Sequence, residues 1–396
     1  MAKAPDATPT PRAPLPPEPG EGAPAEIDAT WMRVAIDEAR RGLPSPNPPV
    51  GAVVIDASGK LAGKGFHERA GEPHGEANAL AAAGKSADGG TLYVTLEPCN
   101  HEGRTPPCVD AILGAGIKRV VVGVLDPNPN VQGGGAERLR AAGLAVDVGV
   151  LGAEARALTA PWAKFVTTGL PHVSLKLALS LDGRIATRSG ASKWVTGPDA
   201  RAKVHELRAR HDAVAVGIGT VIADDPRLTV RDVVAPGGRQ PVRVVFDSRL
   251  RLPLSSHLVQ SARDVTTWVL AGAEAAEDAE QSLLDAGCSV VRIPNSAEGR
   301  VDVGAALRLL AEQGIVSVLF EGGAELAGSL LASRLADELH AFVAPILLGP
   351  RGRPGAVDWA GPDQPSEAPR IVDPKWELVG RDAYVSGPLA FPGRSG

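Results

Sequence analysis

Three groups far apart in the chain constrain this sequence most, because together they make a zinc site and so must meet in the fold. His74 opens the segment His-Gly-Glu, Cys99 follows in Glu-Pro-Cys, and Cys108 comes after a further loop. One imidazole and two thiolates leave zinc a fourth tetrahedral position for water. The metal lowers the pKa of such a water from about 15.7 towards about 7. Glu76, two residues past His74, is placed to take a proton from that water and pass it to a leaving amine without being a ligand.

His-x-Glu followed by Pro-Cys-x-x-Cys is the pattern of zinc-dependent nucleobase deaminases. Here Asn-His-Glu-Gly-Arg-Thr-Pro-Pro separates Cys99 from Cys108 in place of two residues. Proline suits the start of a helix and not its interior. Val109 to Gly114 then reads as a short helix, with Cys108 at its N-terminus, where the dipole favours a thiolate. The extra residues form a loop beside the metal that carries His101, Glu102 and Arg104, groups able to read a charged substrate.

The chain is long enough for two domains. It holds three cysteines, two of them in the zinc motif, which argues for a reducing compartment and against a disulfide framework. Cys288 reads as a buried thiol without chemistry. No apolar run is long enough to span a membrane, and the start shows no secretory signal pattern. Net charge is −5, and residues 28–150 hold 12 Lys and Arg against 14 Asp and Glu. A domain that grips nucleic acid usually carries a basic surplus, so this balance weighs against a tRNA- or DNA-directed enzyme.

Residues 1–26, with proline at eight positions from Pro5 to Pro24, read as an extension that buries no core. Asp28 is a plausible N-cap for a helix through Trp31, Val34 and Ala35, stopped by Gly42. Strands are expected at 50–55, 91–96, 119–124 and 145–150, and helices at 74–83, 109–114 and 136–142. This alternation implies a sheet with helices packed on it, and it puts both halves of the metal site where strands or loops meet helix starts. A boundary falls near 151–170, after which the rhythm restarts. Strands follow at 173–179, 213–217, 242–247, 266–270, 290–293, 316–320 and 338–345, with weak ones at 376–379 and 383–385. One helix is expected at 198–210.

In this second half, Ile315 to Ser329 reads as a buried strand, a Gly322-Gly323 turn and a helix start. Free backbone N–H groups at such a turn form a phosphate site, although a glycine pair there serves equally as a tight turn. Ser248-Arg249, after the strand ending at Asp247, suits a ribose or its 2′-phosphate, or a solvated strand end. Taken alone, Trp194 reads as core and Asp224-Asp225-Pro226 as a turn. With Ser180 to Ala186 and Ser192-Lys193 they have the composition of a cleft.

These residues resemble the RibD family of bifunctional riboflavin-biosynthesis proteins, from about residue 28 to about residue 385. The resemblance rests on Asn47-Pro-Pro-Val-Gly, His74-Gly-Glu, the Thr95 to Cys108 segment and Asp126-Pro-Asn-Pro. In the second half it rests on Leu175 to Arg184, Ser192-Lys-Trp, Asp224 to Arg231, Glu321-Gly-Gly and Ala344 to Gly349. It implies an α/β chain: a cytidine-deaminase-like zinc domain (27–152), a linker (153–170) and a dihydrofolate-reductase-like domain (171–390). The implied reactions are deamination of 2,5-diamino-6-ribosylamino-4(3H)-pyrimidinone 5′-phosphate, then NADPH-dependent reduction of its ribosyl group to ribityl.

Carried over by position, His74, Cys99 and Cys108 hold Zn2+, Glu76 shuttles the proton, and Asn47 hydrogen-bonds the pyrimidine. Ser192, Arg208, Leu228, Arg231 and Glu321 line the reductase substrate site, with Arg208 and Arg231 suited to phosphate. Ala178, Trp194, Thr220, Asp224, Ser248, Gly323, Ala324, Glu325, Leu326, Ala327, Gly328 and Ser329 line the NADPH site. The family further implies a cytoplasmic homo-oligomer formed through the reductase domain, with a small ribotide as partner and neither nucleic acid nor membrane. Gly75 replaces a commoner alanine, and Thr159 and Trp162 stand where the pattern has Asn and Phe.

Beside a chain with one active and one degenerate domain, two other readings compete. One is a nucleic-acid or nucleoside deaminase with an unrelated second domain, against which the charge balance and the long Cys–Cys loop both speak. The other is a non-catalytic zinc scaffold, against which an intact Glu76 speaks, because structural sites fill all four positions with ligands.

Overall fold

The structure, a computed structural model, describes residues 24–103, 106–129, 134–349 and 355–393. The Pro-rich extension expected over residues 1–26 lies outside them up to residue 23, as does Arg104. Two α/β units follow one another, each built on its own sheet. No helix of the described residues is long and apolar enough to cross a membrane.

In the first unit α1 (Pro24–Ala39) precedes β1 (Gly51–Ile55), β2 (Leu61–Phe66), α2 (Gly75–Ala83) and β3 (Thr91–Leu96). Then come α3 (Cys108–Gly114), β4 (Arg119–Val124), α4 (Gly135–Ala141) and β5 (Ala145–Val148). The strand order is β2-β1-β3-β4-β5. Strand β1 is antiparallel to β2 and β3, while β3, β4 and β5 are parallel. Side chains alternate across a strand, so Ala52 and Val54 join the core on one face with Leu80, Val109 and Ile112. Val53 and Ile55 join the other with Trp31, Met32 and Ile36 of α1.

Two expectations change here. Asp28 is no N-cap: it lies inside α1, where its carboxylate accepts from Tyr93 Oη (2.8 Å) and from Arg119 Nη1 and Nη2 (both 2.7 Å). Residues 24–26, counted with the extension, open this helix instead. Strand β2 escapes the sequence because Gly63 and Gly65 interrupt its pattern. A side chain at Gly63 would begin 2.4 Å from the Ala79 carbonyl oxygen, so these glycines let α2 lie directly on the strand.

The segment expected as a linker is a helix, α5 (Gly152–Thr168). Thr159 and Trp162 are buried on it. The Thr159 hydroxyl donates to the Ala155 carbonyl (3.0 Å), and Trp162 packs in one core cluster with both Val120 of β4 and Val316 of the second unit. Lys164 Nζ meets Asp337 Oδ2 at 2.5 Å, and the same oxygen accepts from Val173 N. Helix α5 thus fastens the two units together.

The second unit contains β6 (His172–Ser180), α6 (Pro198–Ala209), β7 (Ala213–Gly217), α7 (Ile218–Asp224), β8 (Val242–Phe246), α8 (His257–Gln260) and β9 (Thr267–Gly272). It continues with α9 (Glu277–Asp285), β10 (Ser289–Ile293), α10 (Val303–Glu312), β11 (Ser317–Glu321), α11 (Ala324–Ala332) and β12 (Glu338–Ala344). It closes with β13 (Arg370–Ile371), β14 (Lys375–Val379) and β15 (Asp382–Ala390). The order is β10-β9-β8-β7-β11-β6-β12-β15-β13, with β14 also on β15. Strands β6 to β12 run parallel and β15 turns antiparallel against β12. Such parallel strands are covered on both faces: Val214 and Val216 feed one core, Ala213 and Ala215 the other.

Candidate functional site

The start of α2 and the start of α3 face each other, and this creates the first site. His74 is the N-cap of α2, and Cys108 is the first residue of α3. Gly75 lies where α2 meets β1; a side chain there would begin 2.6 Å from the Val50 carbonyl oxygen. His74 Nδ1 lies 3.6 Å from Cys99 Sγ and 3.3 Å from Cys108 Sγ. Bond lengths of 2.0–2.3 Å around a tetrahedral zinc put its ligands about 3.3–3.8 Å apart, so this donor set fits zinc. It is the one His, Cys and carboxylate cluster of metal-binding geometry among the described residues.

The hydrogen bond with Cys108 pulls the Cys99 thiol down to about 4, and the same bond together with burial pushes the Cys108 thiol up. A divalent cation facing both sulfurs removes that competition.

Glu76 is 2 % exposed, and its Oε2 has no hydrogen-bond partner. Burial raises its carboxyl to about 7. Asn47 is fixed from behind by a residue the sequence did not single out. His67 Nδ1 lies 3.1 Å from the Pro73 carbonyl oxygen and its Nε2 lies 3.0 Å from Asn47 Nδ2. The proton therefore sits on Nδ1, and Nε2 accepts from the amide. Burial keeps this imidazole below its usual value, hence neutral. Its signal was hidden with β2, which ends one residue earlier. His101 and Glu102 are exposed beside the site.

The second site is a cleft of about 1670 Å3 over the carboxyl ends of the parallel strands of the second unit, the usual ligand edge of such sheets. That exceeds the roughly 300–1,000 Å3 of a one-ligand pocket. Ser192, Arg208, Leu228, Arg231 and Glu321 line it, and so do Ala178, Trp194, Thr220, Asp224, Ser248, Gly323, Ala324, Glu325, Leu326 and Ser329. Gly322 and Gly323 adopt φ of 98° and 94° at the β11–α11 turn, a conformation that favours glycine and leaves backbone N–H groups at the start of α11. This cradle suits a nucleotide phosphate.

Three expectations are corrected. Ala327 is buried in the hydrophobic core, and a side chain at Gly328 would begin 1.8 Å from the Asp358 carbonyl oxygen; neither lines the cleft. Trp194 is not core: it is 66 % exposed, under the Arg201 guanidinium at 4.6 Å. Leu228 lines the cleft as expected, with its side chain also packed in the core. Arg208 lines the cleft but is paired with Glu321 and the Thr229 carbonyl, which leaves it one N–H on each of Nη1 and Nη2 for an anion. Its Nε and Nη2 donate to Glu321 Oε1 and Oε2 at 2.5 and 2.8 Å, and its Nη1 donates to the Thr229 carbonyl at 3.0 Å.

Asp224 ends α7, where its Oδ1 accepts from the Ser192 hydroxyl and its carbonyl accepts from Lys193 Nζ at 2.6 Å. Asp247 is fully buried and accepts from Leu252 N, turned from the cleft, while Ser248 lines it and accepts from Val301 N at 3.0 Å. Lys176, missed as a site residue, stands in β6 and lines the cleft with Glu321 and Arg208 nearby. Burial pulls its ammonium below the usual lysine value. A lysine amid the apolar run of β6 was the available signal.

Comparison with known proteins agrees on both units. Residues 25–124 match the cytidine and deoxycytidylate deaminase zinc-binding region, and residues 171–387 match the RibD C-terminal domain. The riboflavin biosynthesis protein RibD of Aquifex aeolicus is 44 % identical over 82 % of this chain and 88 % of its own length. The chain belongs to the RibD family. The Escherichia coli RibD protein is 41 % identical over 90 % of this chain and 98 % of its own length. Acinetobacter baumannii RibD superposes with a TM-score of 0.80 at 39 % identity, covering 92 % of this chain and 99 % of that one. A Thermotoga maritima diaminohydroxyphosphoribosylaminopyrimidine deaminase/5-amino-6-(5-phosphoribosylamino)uracil reductase gives 0.78 at 36 % identity, covering 93 % and 99 %. RibD chains are bifunctional, a deaminase joined to a reductase, and this chain has both halves.

Proposed function

We propose that this chain performs two consecutive steps on one pyrimidine ribotide. The first is hydrolytic deamination of 2,5-diamino-6-ribosylamino-4(3H)-pyrimidinone 5′-phosphate at a zinc held by His74, Cys99 and Cys108. The second is NADPH-dependent reduction of the ribosyl group to ribityl. The observation that carries this reading is the buried Glu76 carboxylate, its Oε2 without a partner, beside a zinc-shaped donor set, in one chain with a cleft large enough for two ligands.

Zinc supplies the activation of water. Burial favours the protonated form of Glu76, which suits a side chain that takes a proton from water and passes it to the departing ammonia. Asn47, with Nδ2 given to His67, leaves its Oδ1 to accept from a pyrimidine N–H.

NADPH supplies the hydride that C1′ of the ribosyl group receives. The Gly322-Gly323 turn holds its phosphates, the Trp194 face flanks it, and Ser248 with Arg249 reads its adenosine end. Lys176 is the residue we assign as proton donor to the ring oxygen as the ribose opens, because burial weakens its hold on the proton. Trp376 and Leu378, both exposed and two residues apart on β14, suit the expected assembly through this domain. Thiolate zinc ligands suit the reducing cytoplasm.

The test is to incubate the purified protein with the ribotide, with and without NADPH. Ammonia release in both arms, with cofactor oxidation only in the second and only after deamination, is the expected result. Ammonia release from cytidine or tRNA instead would overturn the substrate assignment.

A further inference from the structure

One titratable side chain at the arginine-rich end of the cleft has been given no role. His205 lies on α6 three residues before Arg208, and both line the cleft, as neighbours at this spacing share a helix face. Arg208 is committed to Glu321 and the Thr229 carbonyl. Arg231, with Arg227 beside it, also borders this corner of the cleft. It is exposed and lightly held: Nη1 donates to Thr229 Oγ1 at 2.8 Å, and Nη2 lies 3.5 Å from His205 Nε2.

The imidazole can play two parts in this corner. His205 Nδ1 lies 3.1 Å from the Thr229 carbonyl oxygen and 3.3 Å from Arg231 N. Nδ1 thus faces an acceptor, the Thr229 carbonyl, and a donor, the Arg231 N–H, and satisfies one at a time; with the proton on Nδ1 for the shorter contact, a lone pair on Nε2 turns towards the Arg231 guanidinium. A second proton, on Nε2, would convert the same atom into a donor facing the space that Arg231 borders.

We propose that His205 contacts the 5′-phosphate of the reductase substrate: neutral, it steadies the Arg231 guanidinium, and with the ribotide bound its Nε2 is protonated and donates to the phosphate beside Arg231. This rests on reading the cleft as the ribotide site of the reductase.

The charges around the ring fix the sign of its pH dependence. Arg208 faces it from its own helix, Arg231 from the following loop with Arg227 and Asp232 beside it, Glu321 from β11 and Lys176 from β6. Burial first, then Arg208 and Arg231, hold the ring below the usual imidazole value. A phosphate monoester brings about −1.5 to −2 charges into this corner and favours the imidazolium. Binding therefore takes up a proton, and affinity falls as pH rises through the bound imidazole's value. The phosphate's own ionisation, near about pH 6, acts in the opposite direction, because the dianion formed above it binds cations more tightly.

The experiment compares wild type with His205→Gln, which keeps a hydrogen-bonding side chain but cannot take the proton. KM and kcat of the NADPH-dependent step are measured between about pH 6 and about pH 8, on the deaminated ribotide and on its dephosphorylated riboside. In wild type the ribotide KM should rise by about three- to sixfold across this range, for a shift of about one pK unit on binding. In His205→Gln it should start higher and no longer rise, with kcat and the riboside KM unchanged. A wild-type slope retained in His205→Gln overturns the proposal, and so does a riboside KM raised as much as the ribotide KM. Calorimetric titration with the ribotide in two buffers of different ionisation enthalpy counts the protons directly and needs no turnover. Uptake in wild type that His205→Gln abolishes supports the assignment; equal uptake in both overturns it. Wild type that binds the ribotide without reducing it would sink the reductase reading and leave this count standing.

Discussion

Glu321→Gln should destabilise the second unit severely and leave the first unit's chemistry intact. The Glu321 side chain is 6 % exposed and that of Arg208 is 11 %. Burial pushes the Glu321 carboxyl up, but Arg208 outweighs it and holds the group below its usual value. The neutral amide leaves the Arg208 guanidinium buried without its counter-charge, which costs about 3–5 kcal/mol. In a unit of this size about 1 kcal/mol moves Tm by about 2–4 °C, so the shift should be about 6–20 °C. Scanning calorimetry measures it, with ammonia release as the control on the first unit. Replacing both partners, as Arg208→Met with Glu321→Leu, should recover most of the loss, because an apolar pair of similar volume replaces a buried ion pair at little cost. A single-variant shift below about 2 °C on the same scale, or a double variant no more stable than the single, would refute an unpaired buried charge as the cause.

Other consequences are open to equally direct measurement. His211 is buried and held neutral, its pKa lowered to about 4 by burial, with Nε2 2.9 Å from Ser174 Oγ. Its unfolded-state value is near about 6.5, so the unfolded chain binds the extra proton first as pH falls. Stability should be flat above about pH 7 and fall below about pH 6.5 by up to about 1.4 kcal/mol per pH unit; a Tm against pH unchanged in His211→Gln would contradict this. NADPH should exceed NADH in kcat/KM by more than about tenfold, the scale of one charge-assisted contact. Ser248, Arg249, Arg251 and Arg300 all line that end of the cleft and Asp247 does not. A ratio near one, or a ratio unmoved by Ser248→Ala with Arg249→Ala, would place the 2′-phosphate elsewhere.

The His74, Cys99 and Cys108 cluster was legible because zinc chemistry admits few substitutes, and the fold brings the three donors within 4.8 Å of one another. The parallel strands were legible because both faces are buried, which leaves short unbroken apolar runs: Ala213 to Gly217 and Arg119 to Val124 match their expected bounds. Strand β2 was not, since Gly63 and Gly65 serve contact with α2 and carry no hydrophobic signal. Asp28 looked like a cap because its partners, Tyr93 and Arg119, are remote in sequence. The same holds for Arg208, whose tie to Glu321 spans more than a hundred residues. Ala327 and Gly328 were taken with their neighbours as one run, whereas a helix turns some of its positions away from the cleft.

The central claim is that two separate chemistries occupy the two units, with Glu76 handling protons and not holding metal. The most direct measurement is made on Glu76→Gln: zinc content by elemental analysis, ammonia release from the ribotide, and NADPH oxidation with deaminated ribotide supplied. The account predicts about one zinc per chain, ammonia release reduced by about 10²- to 10⁴-fold, and reduction at the wild-type rate. Loss of the zinc, or loss of both activities in a folded protein, would contradict it.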